Sequence, residues 1–201
     1  LINKHKDWNL NLLSLLKEII KINNKEGIIT NKELCLINKE ETQAKAAIIC
    51  REIDSIRSTI VRQTMFAEFE RQSHALVESG EPLTLDSIRQ TYRGLLDAYF
   101  GSDFAIDDEL ELECLRIPHF YSAFYVYKYA TGLAAAISLA ENVVEGGAAE
   151  LSAYKKFLQG GCSKWPLELL RDAGVDLEKP QPVATALTRF ADLVNELETL
   201  L

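Results

Sequence analysis

One histidine and four tyrosines fall within eleven residues of this chain: His119, Tyr121, Tyr125, Tyr127 and Tyr129. They belong to the run Arg116-Ile-Pro-His-Phe-Tyr-Ser-Ala-Phe-Tyr-Val-Tyr-Lys-Tyr-Ala-Thr-Gly132. Tyrosine joins an apolar ring to a hydroxyl that needs a partner when buried, and imidazole both donates and accepts protons near neutral pH. Two readings fit these residue types. One is an aromatic core stripe with a satisfied histidine; the other is a set of proton donors aimed at a substrate carbonyl. On a helix starting near Phe120, Tyr121, Tyr125 and Tyr129 recur at i, i+4 and i+8 and share a face, while Tyr127 points elsewhere. An error of one residue in helix phase turns that face by about 100°. Stripes of this kind are most often core. No His-Glu-x-x-His occurs in the sequence, so these residues alone complete no zinc site of that type.

The elements that carry these residues read as helices throughout. Residues 1–43 form a head rich in Asn, Lys and Ile, holding seven of the nine asparagines. An apolar helical stripe runs from Leu10 to Ile20, and Thr30 with Glu33 has the form of a capping box. From Ala44 to about Glu78 the pattern predicts a long amphipathic helix stopped by Ser79-Gly80, with Pro82 beyond. Thr84 is the expected cap of a helix ending at Gly101, and the acids from Asp107 suit another helix start. Pro118 should open the tyrosine helix, which continues towards Val144 and stops at Gly146-Gly147. Ala134, Ala135 and Ala136 keep its middle slim for close packing. A short helix should end at Gly160-Gly161. Ser163 is the expected cap of a helix with Pro166 in its first turn, ending at Gly174, and Pro180 and Pro182 precede a terminal helix. Alternating strands and hairpin signals are absent, so the predicted class is all-α.

Composition narrows the function. With 201 residues, 47% hydrophobic and 26% charged, the chain can bury a core without staples. A net charge of -8 opposes a nucleic-acid surface, which must neutralise phosphates. Cys35, Cys50, Cys114 and Cys162 are widely spaced, which reads as reduced, mostly buried thiols rather than a disulfide framework. No apolar run has the length of a bilayer crossing, and the expected location is cytoplasmic, with no membrane partner.

Four blocks together resemble the C-terminal part of the oligoendopeptidase F family, zinc metallopeptidases related to thimet oligopeptidase. They are Arg62-Gln-Thr-Met-Phe-Ala-Glu-Phe-Glu70, Arg116-Ile-Pro-His-Phe-Tyr, Tyr125-Val-Tyr-Lys-Tyr-Ala-Thr-Gly132, and Gly160-Gly-Cys-Ser-Lys-Trp-Pro-Leu-Glu-Leu-Leu-Arg-Asp-Ala-Gly-Val-Asp176. The resemblance covers about residues 44–201 and occurs in the family's order. It implies the helical C-terminal portion of a zincin-type catalytic domain. The family's zinc is held by the two histidines of His-Glu-x-x-His and a downstream glutamate, and the family's His-Phe-Tyr and tyrosine blocks line the cleft opposite the metal. Carried over, His119 binds or polarises the substrate carbonyl. Tyr125 is the first choice as oxyanion donor, followed by Tyr121 and Tyr129 on its face, with Tyr127 next if the helix phase differs. Gly160 and Gly161 resemble a loop near the family's cleft, where glycine lets backbone approach a peptide; a plain helix terminator reads equally well.

The chain departs from that family where the zinc motif should lie. His5 is followed by Lys-Asp-Trp, and His74 with Glu78 gives only one i, i+4 pair. The head, 1–43, carries no match to the metal-binding segments, so zinc belongs to the full-length family and none is expected on this chain. Arg57, Arg62, Glu68 and Glu70 are read as an ion-paired helix face, with one of them expected to prop the helices of the site; none is read as catalytic. The resulting expectation is the substrate-binding part of a zinc-dependent oligoendopeptidase, acting on oligopeptides and inactive alone. The alternative is a non-catalytic helical module that binds peptides or a partner helix. Either way an open cleft wall favours self-association through exposed apolar surface.

Overall fold

The computed structural model describes residues 31–200, with side chains from Lys39 onward. The stripe from Leu10 to Ile20, the Thr30–Glu33 box, His5 and the Cys35 side chain lie outside what is described. Among the described residues there is no strand. The all-α class expected from the pattern is the architecture found.

The described chain opens with an unbroken rod: α1 (Asn31–Ile56), a π-helical turn (Arg57–Val61) and α2 (Arg62–Glu78). The rod ends at Ser79-Gly80, as expected. The Glu81 N–H donates to the Leu76 carbonyl at 3.1 Å and the Gly80 N–H to that of Val77 at 3.0 Å, with Gly80 at φ 90°. This paired ending requires a left-handed residue, which glycine supplies without steric cost. In α3 (Leu85–Phe100) the expected Thr84 cap is reciprocal. Thr84 Oγ1 accepts from the Ser87 N–H at 3.2 Å, and Ser87 Oγ accepts from the Thr84 N–H at 2.9 Å.

Three of the expected helix starts are corrected. The acids after Asp107 begin a 3-10 segment (Asp108–Arg116) rather than an α-helix. The helix expected from Pro118 to Val144 is split: a 3-10 turn covers Pro118–Tyr121, and α4 (Tyr127–Glu145) starts only after a left-handed Phe124 at φ 56°. After α5 (Ala148–Gly160), Ser163 is not the cap of α6 (Pro166–Asp172); instead the Glu168 carboxylate reaches back to accept the Trp165 N–H at 3.1 Å. The chain closes with α7 (Gln181–Glu198).

Three apolar clusters hold these helices. Met65, Phe66, Phe69, Tyr92, Leu95, Leu96, Cys114 and Val126 join α2 and α3 to the 3-10 segment and the start of α4. Ile49, Ile56, Ile60, Ala134, Ala186 and Leu193 join the rod to α4 and α7. Ala135, Leu139, Ala173 and Val175 join α4 to the segment around α6. Helix α4 reaches all three, and the buried Ala134 and Ala135 allow its close approach. Cys114 is buried, and that burial pushes its thiol up to about 11; Cys50 and Cys162 are exposed, which corrects the expectation of mostly buried thiols. Among the described residues no helix is long and apolar enough to cross a membrane.

A buried carboxylate crosses the first cluster. Glu113, 6% exposed, receives the Tyr92 hydroxyl at 2.8 Å, the Arg116 guanidinium at 2.9 Å and a further Arg62 contact from α2. Burial, and then its hydrogen bond to Glu113, push the Tyr92 hydroxyl well above the usual tyrosine range, so it remains a donor. We predict that Tyr92→Phe lowers unfolding stability by about 1.5–3 kcal/mol, the range for a hydrogen bond to a charged group. Arg116→Ala, whose side chain is 76% exposed, should cost under about 1 kcal/mol. Urea denaturation with unchanged m-values measures both, and a Tyr92→Phe protein as stable as the parent would contradict the assignment.

Candidate functional site

The site grows out of the segment between two core anchors. Phe120 packs edge-on against Phe66 (5.8 Å) and against Phe69 (5.5 Å), and Val126 is fully buried. Between and beside these anchors the chain turns outwards, which leaves His119, Tyr121, Tyr125, Tyr127 and Tyr129 exposed. The tyrosines are therefore not a core stripe. Their rings sit on the surface of a segment whose other residues supply the burial.

His119, Tyr125 and Tyr129 come together. The His119 and Tyr125 rings lie nearly parallel, 12° apart with centroids at 5.7 Å. Tyr129 stands edge-on to both, at 5.5 Å from each. Its hydroxyl is 3.1 Å from His119 Nε2 and donates to the Tyr125 hydroxyl at 3.4 Å. That bond, more than burial, raises the Tyr129 hydroxyl above the ordinary tyrosine value, because ionisation would remove the donated proton. A tyrosine has one proton to give. With that proton given to Tyr125, the Tyr129 oxygen is left to accept from His119, which requires the Nε2–H tautomer of the imidazole. The Tyr125 proton is then left for an acceptor outside the protein. Lys128 Nζ lies over the Tyr125 ring, 5.1 Å from its centroid, and adds a positive charge to its face.

Tyr121 and Tyr127 stay outside this cluster. Tyr121 sits in the 3-10 turn and is 89% exposed, because the break at Phe124 removes it from any helical face shared with Tyr125 and Tyr129. Tyr127 occupies the first position of α4, half exposed. Gly160 and Gly161 have local structural reasons for being glycine. A Cβ on Gly160 would meet Leu169 Cδ2 at 2.8 Å, and Gly161 has φ 51°. They border an open groove of about 840 Å³ lined by Phe157, Leu158, Trp165 and Leu169, with Trp165 78% exposed.

Of the four charged candidates on the rod, two are local and two reach across the fold. Arg57 pairs with Asp54 at 2.8 Å and Glu68 with Arg71 at 2.6 Å, both exposed i, i+3 contacts. Arg62 meets Glu113, and Glu70 accepts the Phe124 N–H at 2.5 Å. Sequence reasoning did not separate these pairs and missed Glu113 altogether. A signal for Glu70 was present: it follows Phe66 by four residues, and so continues a buried apolar stripe with a carboxylate. His74 does not combine with Glu78 into a metal site; its ring packs against that of Phe124, tilted by 37° with centroids at 4.6 Å. Among the described residues no three His, Cys, Asp or Glu side chains converge to hold a metal ion. The described residues therefore offer no donor set that fits zinc.

We predict that Tyr125→Phe lets the Tyr129 phenol ionise at lower pH than in the parent chain, since the hydroxyl that accepts its proton is gone. The Tyr129 Cζ shift, followed by carbon NMR through alkaline pH, reads the midpoint. An unmoved midpoint would contradict the hydrogen bond.

The profile of peptidase family M3 matches residues 25–189. The chain is 40% identical over 169 residues to the oligopeptidase PepF of Bacillus subtilis, covering 84% of this chain and 25% of that protein. It is 42% identical over 168 residues to an oligoendopeptidase F homolog of Borreliella burgdorferi, covering 84% of this chain and 28% of that one. The crystal structure of oligoendopeptidase-F from Enterococcus faecium superposes with a TM-score of 0.77 at 36% identity, over 79% of this chain and 30% of that one. The chain thus spans roughly a quarter to a third of the length of the relatives it matches.

Proposed function

Because this chain belongs to peptidase family M3, we propose that it is the C-terminal, substrate-binding part of a zinc-dependent oligoendopeptidase that hydrolyses peptide bonds in short peptides. The observation that carries this reading is the ordered chain of donors from His119 through Tyr129 to Tyr125, which ends on an exposed hydroxyl with its proton free. Attack on a peptide carbonyl builds negative charge on its oxygen, and a donor already aimed at that oxygen stabilises the transition state more than the ground state. In this reading Tyr125 donates to the developing oxyanion. Tyr129 and His119 hold its ring and hydroxyl in place, and the Lys128 charge favours the same polarity. Tyr121 and Tyr127 extend the aromatic surface along which the peptide lies, and the Gly160–Gly161 loop with its apolar groove supplies a further wall.

The zinc of the resemblance has no ligand set among the described residues. No step is assigned to it here. The reaction needs residues beyond those described, and this chain alone is proposed to be inactive.

Two measurements test the proposal. Elemental analysis of the 201-residue chain, purified without chelators, should find no stoichiometric zinc, and the same sample should not hydrolyse peptides. Zinc near one per chain with hydrolysis would overturn the division of labour. In a chimera carrying this segment in place of the matching 169 residues of the Bacillus relative, Tyr125→Phe should lower kcat by about 10²–10³ with KM little changed. An unchanged kcat would remove Tyr125 from the oxyanion site.

A further inference from the structure

We propose that Glu70 is a positioning residue for the His119–Tyr125 donor pair: by accepting the Phe124 N–H, its buried carboxylate holds the left-handed turn that lays Tyr125 against His119. The proposal rests on the reading of those two residues as donors.

Phe124 is the one non-glycine residue with positive φ among those described, at 56°. A residue with a Cβ disfavours that region, so its surroundings must hold it there. Two side chains from one face of α2 do so. Glu70, 6% exposed, takes the Phe124 N–H at 2.5 Å, and the ring of His74, one turn further along, packs against that of Phe124, tilted by 37° with centroids at 4.6 Å. Amide and ring are thus both clamped by residues more than forty positions away in sequence. Without the clamp, the pattern from Pro118 to Gly132 favours a continuous helix, which would carry His119 and Tyr125 along one rod instead of folding one ring back on the other.

Glu70 also differs from the other buried carboxylate. Glu113 is neutralised by two arginines, whereas no described ion pair involves Glu70. A carboxylate kept in an apolar setting needs a compensating hydrogen bond, and the Phe124 amide supplies one. The arrangement therefore selects a turn conformation rather than linking charges.

The test uses the 201-residue chain with its histidine rings carbon-labelled. In the parent, the stacked Tyr125 ring displaces the His119 ring protons upfield. Glu70→Ala should abolish that displacement while the methyl shifts of Ile49, Ile60 and Leu193, in the separate cluster that joins the rod to α4 and α7, stay native. Glu70→Gln should keep most of it, because the amide oxygen accepts the same bond. Adding Phe124→Gly to Glu70→Ala should restore it, since glycine adopts this φ unaided. His119 shifts unchanged in an intact Glu70→Ala protein would overturn the proposal. So would a general loss of dispersion that Phe124→Gly does not reverse, because the carboxylate would then serve only the core. Failure of the donor reading appears separately, as an unchanged kcat in the Tyr125→Phe chimera, and leaves these shifts where they are.

Discussion

The fold around the site depends on a carboxylate that cannot be left alone. Glu113 lies inside the cluster formed by α2 and α3, where an unpaired charge would be strongly unfavourable. Its partners come from three places: Arg62 at the start of α2, Tyr92 in the middle of α3, and Arg116 at the end of its own 3-10 segment. Satisfying one group therefore fixes the relative position of three elements. Arg116 is followed directly by Ile117, Pro118 and His119, so the same contact sets where the functional segment leaves the core. Apolar packing of Phe66, Phe69 and Leu96 supplies most of the stabilisation, but it is directionless. The hydrogen bonds to Glu113 supply direction.

The segment then obeys a division between anchors and donors. Phe120 is half-buried against Phe66 and Val126 is fully buried, while His119, Tyr125 and Tyr129 remain at the surface. Five residues lie between the anchors, and the left-handed Phe124 takes up the slack that a regular helix would not allow. Helix α4 carries Tyr129 outward and Ala134 and Ala135 inward, so the same helix serves the donor cluster and two cores. Rigid burial on one side is what lets exposed rings hold a defined geometry on the other.

Much of this was legible in the sequence because its causes are local. The Thr84–Ser87 cap, the Gly80 and Gly174 terminators and the small residues of α4 each act within a few positions of where they stand. Met65, Phe66 and Phe69 likewise announce a buried face by spacing alone. The break before α4 was not legible. Tyr121, Tyr125 and Tyr129 fit helical spacing, and no proline or glycine lies between Pro118 and Gly132 to mark a turn. Its cause is Glu70, 54 residues upstream, and no window along the chain contains both partners. The 3-10 form of Asp108–Arg116 has a similarly distant origin, since Glu113 and Cys114 must both turn inward to meet α2 and α3. The cap of α6 failed for a different reason: Ser163 had the right chemistry, but Glu168 can reach the Trp165 amide from inside the helix, and Pro166 at the first position has no N–H to offer.

The break also bears on what the tyrosines can do. Along an unbroken helix, Tyr121, Tyr125 and Tyr129 would form a row, each hydroxyl displaced by about one 5.4 Å turn from the next. Such a row binds an aromatic or extended partner but has no reason to order its protons. The turn removes Tyr121 and brings in His119, replacing a third phenol with an imidazole whose Nε2–H can start a directed chain. Tyr129 then stands at the centre, accepting from one ring and donating to the other, and Tyr125 becomes the end of the chain rather than its middle. A hydroxyl at the end has a proton with no internal acceptor. The chemistry proposed for this surface thus depends on the backbone conformation of Phe124, a residue that takes no part in it.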